Sequence, residues 1–316
     1  MVVCKCNKCK RAVNKTNKKK QLLSLSFDAR GAKASNFKSW SKSKNANFCD
    51  IPQYAMVELG ETFHMQSRIA DAMCNSSENH CQIVSRLLPA KCMGGWRITK
   101  YMGRGAYGFV FGCRSTKLNA TGALKIQIVD QKSDSDREIR AHKKFADLKL
   151  SPKLYTHCST SKYGSRISFL VMARIDTTLY QWLSTKRSKK MLDLLVVRLF
   201  DALRRMQKNG LTHGDLHVQN IGFVYRRAYT PGTMKILDHG FTTTKVAMPE
   251  LDIVQLMRSI NRRYSPAIDH NTINYLRKQL QSQATRIFGL KISRTQANLE
   301  KRFVYLHKKL QRRINQ

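Results

Sequence analysis

From Trp96 onward, apolar and polar residues recur with two distinct periods. Arg97–Met102, Gly108–Arg114 and Ala123–Val129 interleave β-branched, aromatic and other apolar residues with polar ones, which predicts three strands. Arg137–Phe145 changes to helical spacing, and Ile167–Met172 is an unbroken apolar run suited to a buried strand, followed by an extended link, Ala173–Asp176. Beyond that point helices dominate. Thr178–Ser184 predicts a short helix, and Met191–Asn209 a long one with Leu192, Leu195, Leu199, Leu203 and Met206 on one face. Gly210 stands where a helix-ending glycine belongs. Ile221–Tyr225 and Met234–Leu237 predict a hairpin around Tyr229–Gly232. The tail from Thr272 holds two amphipathic stretches, Ile273/Leu276/Leu280/Ile287 and Leu299/Phe303/Leu306/Leu310, broken near Gly289. Upstream, Phe63–Met73 and Cys81–Leu88 also have helical spacing. A strand-rich half ahead of a helical half predicts the α+β class.

The polar residues that interrupt this pattern carry a recognisable chemistry. Leu211–Asn220 contains His213, Asp215 and Asn220, and Asp238 of Asp238-His239-Gly240 lies 18 residues after Asn220. Phosphoryl transfer from a nucleotide needs such a set. One Asp orients the acceptor hydroxyl and takes its proton, while an Asn and a second Asp hold Mg²⁺ on the phosphates. Gly103-Arg104-Gly105-Ala106-Tyr107-Gly108-Phe109-Val110 has the form G-x-G-x-x-G-x-V, in which glycines let the backbone close over phosphates. Lys125 follows Val110 by 15 residues on the Ala123–Ile128 strand, and Glu138 follows Lys125 by 13 on the helical stretch.

Glycine loop, strand lysine, helix glutamate, H-x-D loop and D-x-G loop occur in the order of a kinase domain, and the stretch from about Trp96 to Arg263 resembles the protein-kinase-like superfamily. The H-G-D-L-H-x-x-N form at His213–Asn220 is similar to serine/threonine kinases of large nucleocytoplasmic DNA viruses such as iridoviruses and ascoviruses. The resemblance implies a bilobal fold, with a β-rich small lobe over 96–172 and a mainly helical large lobe over 177–316. It implies use of ATP and Mg²⁺ to phosphorylate protein hydroxyls, virion or basic proteins being the expected substrates. By the same resemblance, Gly103, Arg104, Gly105, Gly108, Val110 and Ala123 surround the nucleotide, and Lys125 binds its α- and β-phosphates while paired with Glu138. Met172 backs the nucleotide pocket, and the link holding Ala173 and Ile175 is the hinge whose backbone binds adenine. Asp215 is the catalytic base, Asn220 and Asp238 are the Mg²⁺ ligands, and Asp252 buttresses the catalytic loop from the next helix.

Four departures from the pattern bear on substrate and regulation. Gly214 replaces the arginine of H-R-D, so a phosphorylated activation loop lacks its usual partner. His217 replaces the lysine often found two residues after the catalytic Asp, which weakens the inference of a Ser/Thr substrate. Gly222 stands where a bulky side chain usually floors the adenine site. Only nine residues separate Gly240 from Glu250 of Met248-Pro249-Glu250, a degenerate A-P-E, and a segment this short offers little platform for a peptide.

Charge adds a possible partner. The formal net charge of +38, from 58 Lys+Arg and 20 Asp+Glu, favours polyanions such as nucleic acid, an anionic membrane face or an acidic protein. Residues 1–50 hold 13 Lys and Arg against Asp28 and Asp50, which predicts a basic, disordered tail. Cys4, Cys6 and Cys9 include a single C-x-x-C, and zinc would need further ligands from Cys49 or His64. Residues 51–95 are expected to form a helical extension of the kinase-like domain at 96–316. Met1–Lys10 lacks an apolar signal core, and no run approaches the roughly 18 apolar residues of a membrane span. The expected setting is therefore intracellular, in host cytoplasm or nucleus or packaged in a virion, with the nine cysteines reduced. Two other functions fit the same residues: a small-molecule kinase of the aminoglycoside or choline type, and a basic nucleic-acid-packaging protein with a vestigial site.

Overall fold

A computed structural model of the chain describes residues 81, 84–85, 88–105, 108–129, 132–162, 165–225, 233–261 and 265–315. The basic tail, its zinc question and the Phe63–Met73 helix lie outside them. The chain divides into two compact units, one reaching Gln131 and including Tyr155–Met172, the other comprising Lys132–Leu154 and Ala173–Gln316.

The first unit is built on a five-stranded sheet. Its strands are β1 (Trp96–Gly105), β2 (Gly108–Ser115), β3 (Ala120–Val129), β4 (Leu154–Lys162) and β5 (Ser165–Ala173), in the order β1-β2-β3-β5-β4. Alternation decides which face is covered. Phe109 and Phe111, Leu124 and Ile126, and Phe169 and Val171 are buried pairs two residues apart. They pack with Cys81, Val84, Leu88 and the short helix α1 (Ala90–Met93). The polar sequence Leu-Tyr-Thr-His-Cys-Ser-Thr-Ser-Lys of β4 gave no strand signal. It lies at the sheet edge, where one side of the backbone is unpaired and little side-chain burial is demanded. The expectation of reduced thiols also needs correction. Cys92 of α1 is disulfide-bonded to Cys158 of β4, across 66 residues of sequence. Cys113 is a buried free thiol, pushed up to about 12 by burial.

The second unit is mainly helical. It contains α2 (Lys132–Asp147), α3 (Leu179–Leu183), α4 (Lys189–Lys208), α5 (Pro249–Ser259), α6 (His270–Phe288) and α7 (Gln296–Asn315). The apolar face of α4 is buried as its spacing predicts, and the Thr178 side chain closes a capping box on α3. Asp269 caps α6 through the Thr272 N–H at 2.9 Å, and Gly289 ends it with φ of 66°. Helix α2 begins five residues ahead of its first clear apolar spacing and falls in this unit. Phe145 on α2 is fully buried in the helical core, and the His142 ring nitrogen Nε2 lies 2.8 Å from the Pro152 carbonyl oxygen.

A small antiparallel sheet, β6 (Thr177–Thr178), β7 (Ile221–Val224) and β8 (Thr233–Ile236), crosses the same unit. It explains one departure from the kinase pattern. A Cβ at Gly222 would stand 2.5 Å from Ile175 Cδ1, so the Ile175 side chain already occupies the space that a larger residue would take. Gly222→Val is expected to destabilise the protein by about 1–3 kcal/mol through overpacking. Urea unfolding of the single and double variants checks this, because adding Ile175→Ala should recover part of the loss.

Candidate active site

The residues of the first unit that are expected around a nucleotide share one patch of sheet. Gly105 pairs with Gly108, Arg104 with Phe109 and Gly103 with Val110, while Val110 pairs on its other side with Lys125. Gly108 is hemmed in, since a Cβ there would fall 1.9 Å from the Ile126 carbonyl oxygen. Lys125 is half-buried, and Ala123 and Met172 lie on β3 and β5, adjacent strands of the sheet. Glu138, Ala173 and Ile175 belong to the second unit. Glu138 is buried on α2. The Ala173 N–H donates to the Lys153 carbonyl at 2.8 Å.

In the second unit, the two loops with the carboxylates are joined through the backbone. Leu237 N–H donates to the Asn220 carbonyl at 2.8 Å, so Asp238 follows directly after a residue bonded to Asn220. His213 reinforces the join. Its Nδ1 accepts from the Asp215 N–H at 3.3 Å, which leaves Nε2 to donate to the Leu237 carbonyl at 2.9 Å. That pattern requires the neutral ring, and complete burial lowers its pKa in the same sense. The His213 ring stacks edge-on against His239, which also contacts His142 and Phe145 of α2. His239 Nε2 and Ser151 Oγ are 2.5 Å apart, so the middle residue of Asp238-His239-Gly240 is fixed by both packing and a hydrogen bond. Asp238 itself has φ of 57°, a left-handed conformation that is held by the ordered backbone on either side.

Asp215 is surrounded by donors. Gln255 Nε2 donates to Oδ1 at 2.9 Å, Asn220 Nδ2 donates to the Asp215 carbonyl at 3.0 Å and to Oδ2 at 3.4 Å, and His217 Nε2 lies 3.5 Å from Oδ2. Burial pushes the carboxyl up, but His217, His213 and Gln255 outweigh it and hold its pKa below the usual aspartate value. The carboxylate is therefore ionised at neutral pH, as a proton acceptor must be. Because the Asn220 amide nitrogen donates to Asp215, its Oδ1 is the end of the amide not used on that residue. Asn220 Oδ1 and the Asp238 carboxylate are both hard oxygen donors. They suit Mg²⁺, which takes one or two protein ligands and completes its shell with water and phosphate oxygens.

Helix α5 holds this loop in place. The fully buried Asp252 carboxylate accepts the His213 N–H at 3.0 Å through Oδ2 and the Gly214 N–H at 2.9 Å through Oδ1. Three and seven residues further along the same helix, Gln255 reaches Asp215 and Ser259 Oγ accepts the Val218 N–H at 3.2 Å. Gln255 and Ser259 match no catalytic motif. Their only sequence signal is polar residues spaced to share a helix face with Asp252.

Gly214 has a steric cause as well. Its φ is +81°, and a Cβ would lie 2.7 Å from the Phe241 carbonyl oxygen, so the position excludes arginine. The segment after Gly240 is tied to the same loop. Thr212 and Thr243 exchange backbone hydrogen bonds at 3.1 and 3.0 Å, and Thr212 Oγ1 bridges the Val246 carbonyl and the Met248 N–H at 2.6 Å each.

The family model for the protein kinase domain matches residues 96–259, just over half of the 316 residues. The chain belongs to the protein kinase domain family, and its class of chemistry is phosphoryl transfer. No match is found among curated proteins.

Burial raises the Asp252 pKa to about 7 from an ordinary 3.8. Between these values the folded protein keeps a proton that the unfolded chain has released, so the Asp252 contribution to stability falls as pH rises through that window and levels off above it. Urea unfolding at pH 5 and pH 7.5 should show the loss in the wild-type protein, at up to about 1.4 kcal/mol per pH unit, and a flatter profile in Asp252→Asn.

Proposed function

We propose that the chain is an ATP- and Mg²⁺-dependent protein kinase that transfers the γ-phosphoryl group to serine or threonine hydroxyls. The observation that carries this reading is the Asp215 carboxylate, ionised and oriented by Gln255 and Asn220, on a loop bonded through its backbone to the one bearing Asp238. In it, Asp215 orients the acceptor hydroxyl and receives its proton. Asn220 Oδ1 and Asp238 would hold Mg²⁺, which would neutralise charge on the phosphates. On the first unit, Lys125 would hold the α- and β-phosphates, and Gly103, Gly105 and Gly108 would let the backbone close over them. His217, beside Asp215 Oδ2, stands in for the missing lysine as the cationic or hydrogen-bonding group near the acceptor. The form of the His213–Asn220 loop supports a viral origin, and virion or basic proteins are the proposed substrates.

A small-molecule acceptor is the competing reading. Cationic acceptors such as aminoglycosides call for acidic residues in the C-terminal helices, and the sole acid after Asp269, Glu300, is engaged by Arg258 at 2.6 Å. Purified protein given labelled ATP and Mg²⁺ with casein, histone or an aminoglycoside separates the two. Label should enter casein or histone, and transfer to the aminoglycoside alone would reverse the assignment. Asp215→Asn and Asp238→Asn should each lower the rate by at least about 10²-fold without unfolding the protein. A rate within threefold of wild type in either variant contradicts its assigned role.

An accessory polyanion partner is supported by charge. Residues 1–50 carry 13 basic and two acidic residues, net +11, and α7 exposes Lys301, Lys308, Lys309, Arg312 and Arg313. Lys and Arg neutralise phosphates without reading bases, with a slope of about −0.9 in log K against log salt per phosphate on duplex DNA. Full-length protein is expected to bind DNA or RNA without sequence preference, and deletion of residues 1–50 should flatten the salt slope while sparing ATP turnover. Undiminished slope in the truncated protein would point to α7 instead.

A further inference from the structure

Gln255 has an amide whose two ends differ only in which atom donates, so something must decide which end faces Asp215. Arg258, one helical turn on, decides it. Its Nη1 donates to Gln255 Oε1 at 2.6 Å, which turns Nε2 toward Asp215 Oδ1 at 2.9 Å. With the amide reversed, an oxygen would face the carboxylate and a nitrogen would face the guanidinium, two repulsive contacts in place of two attractive ones.

Arg258 is in turn fixed by the last helix of the chain. Its Nε and Nη2 both donate to Glu300 Oε2 on α7, at 2.8 and 2.6 Å, and its guanidinium stacks 3.9 Å above the Phe303 ring. Glu300 is braced from its other oxygen, since Gln296 Nε2 donates to Oε1 at 2.6 Å. Gln296 Oε1 accepts from Arg277 of α6, whose guanidinium also reaches the Met257 carbonyl of α5 at 3.1 Å. Every group between the catalytic loop and α7 has a fixed direction of donation: Gln296 to Glu300, Arg258 to Glu300, Arg258 to Gln255, Gln255 to Asp215.

We propose that Gln255 is a positioning residue for Asp215, and that α7 sets its orientation through Arg258, Glu300 and Phe303. The proposal rests on the reading of Asp215 as the group that orients the acceptor hydroxyl. It adds that residues beyond the family match, which ends at Ser259, hold that carboxylate in register. Gln255 acts on the acceptor side alone, so its loss lowers kcat and leaves the KM for ATP in place.

The test combines kinetics with a readout that needs no turnover. With Mg²⁺, ATP and casein as the probe acceptor, Gln255→Met and Arg258→Met should each lower kcat about 10-fold, the size of one hydrogen bond to a charged group, with KM for ATP within twofold. The double variant should be no worse than either single, because Arg258 acts through Gln255. Glu300→Gln, which keeps an acceptor for Arg258, should fall between wild type and Arg258→Met. Selective ¹⁵N-glutamine labelling follows the Gln255 side-chain amide directly, its signal assigned by its absence in Gln255→Met. In Arg258→Met and Glu300→Gln that signal should shift and exchange faster with solvent. An unmoved amide signal in Arg258→Met, or additive losses in the double variant, would overturn the proposal. If Asp215→Asn keeps its turnover, the base assignment fails, and the amide signal still reports separately whether Arg258 orients Gln255.

Discussion

A buried carboxyl group cannot be left without hydrogen bonds, and in this kinase domain Asp252 satisfies that demand with two consecutive backbone N–H groups, those of His213 and Gly214. The rest of the helical unit's polar architecture follows from the pairing. With the loop pinned at its start, His213 points into the core to meet Leu237, and Asp215 projects where Gln255 and Asn220 can reach it. Asn220, at the loop's end, meets the Leu237 N–H. The loop is short enough that fixing two peptide groups at one end and one at the other leaves few conformations for what lies between.

The kinase-domain family was legible because phosphoryl transfer calls for certain residue types at set spacings, and His213, Asp215, Asn220 and Asp238 occur in that order with the glycine loop and Lys125 before them. The long helix over Lys189–Lys208 and the break at Gly289 were legible for a different reason, periodicity with a glycine stop. What escaped was whatever depends on a partner distant in sequence. The bond from Leu237 to Asn220 is made by backbone and leaves no mark on residue type. Gln255 and Arg258 are ordinary helix residues until α7 is folded against them. Strand β4 is too polar to announce itself, and the bond between Cys92 and Cys158 joins residues that no spacing rule connects. Gly222 and Gly214 read in the sequence as missing side chains. The structure gives each a neighbour, Ile175 and the Phe241 carbonyl, in the space concerned.

The family match ends at Ser259, yet the helical core continues through Leu276, Leu280, Leu299, Leu306 and Leu310. These apolar positions seat α6 and α7, and the polar residues between them turn back toward α5: Arg277 to the Met257 carbonyl, Glu300 to Arg258, Arg302 to Glu250 at 2.7 Å. The C-terminal helices thus join the same packing and hydrogen-bond system as the His213–Asn220 loop, while their outward faces remain basic.

The backbone at Gly214 also bears on how control of this enzyme could change over evolutionary time. In kinases governed by phosphorylation, an arginine at this position reads the phosphate. Here one base change that installs a side chain meets both an unfavourable backbone angle and the Phe241 carbonyl, so every such intermediate is damaged before it could gain a regulatory contact. Recovering that form of control takes a coordinated move of the Phe241 peptide and residue 214 together, a valley that stepwise selection does not readily cross.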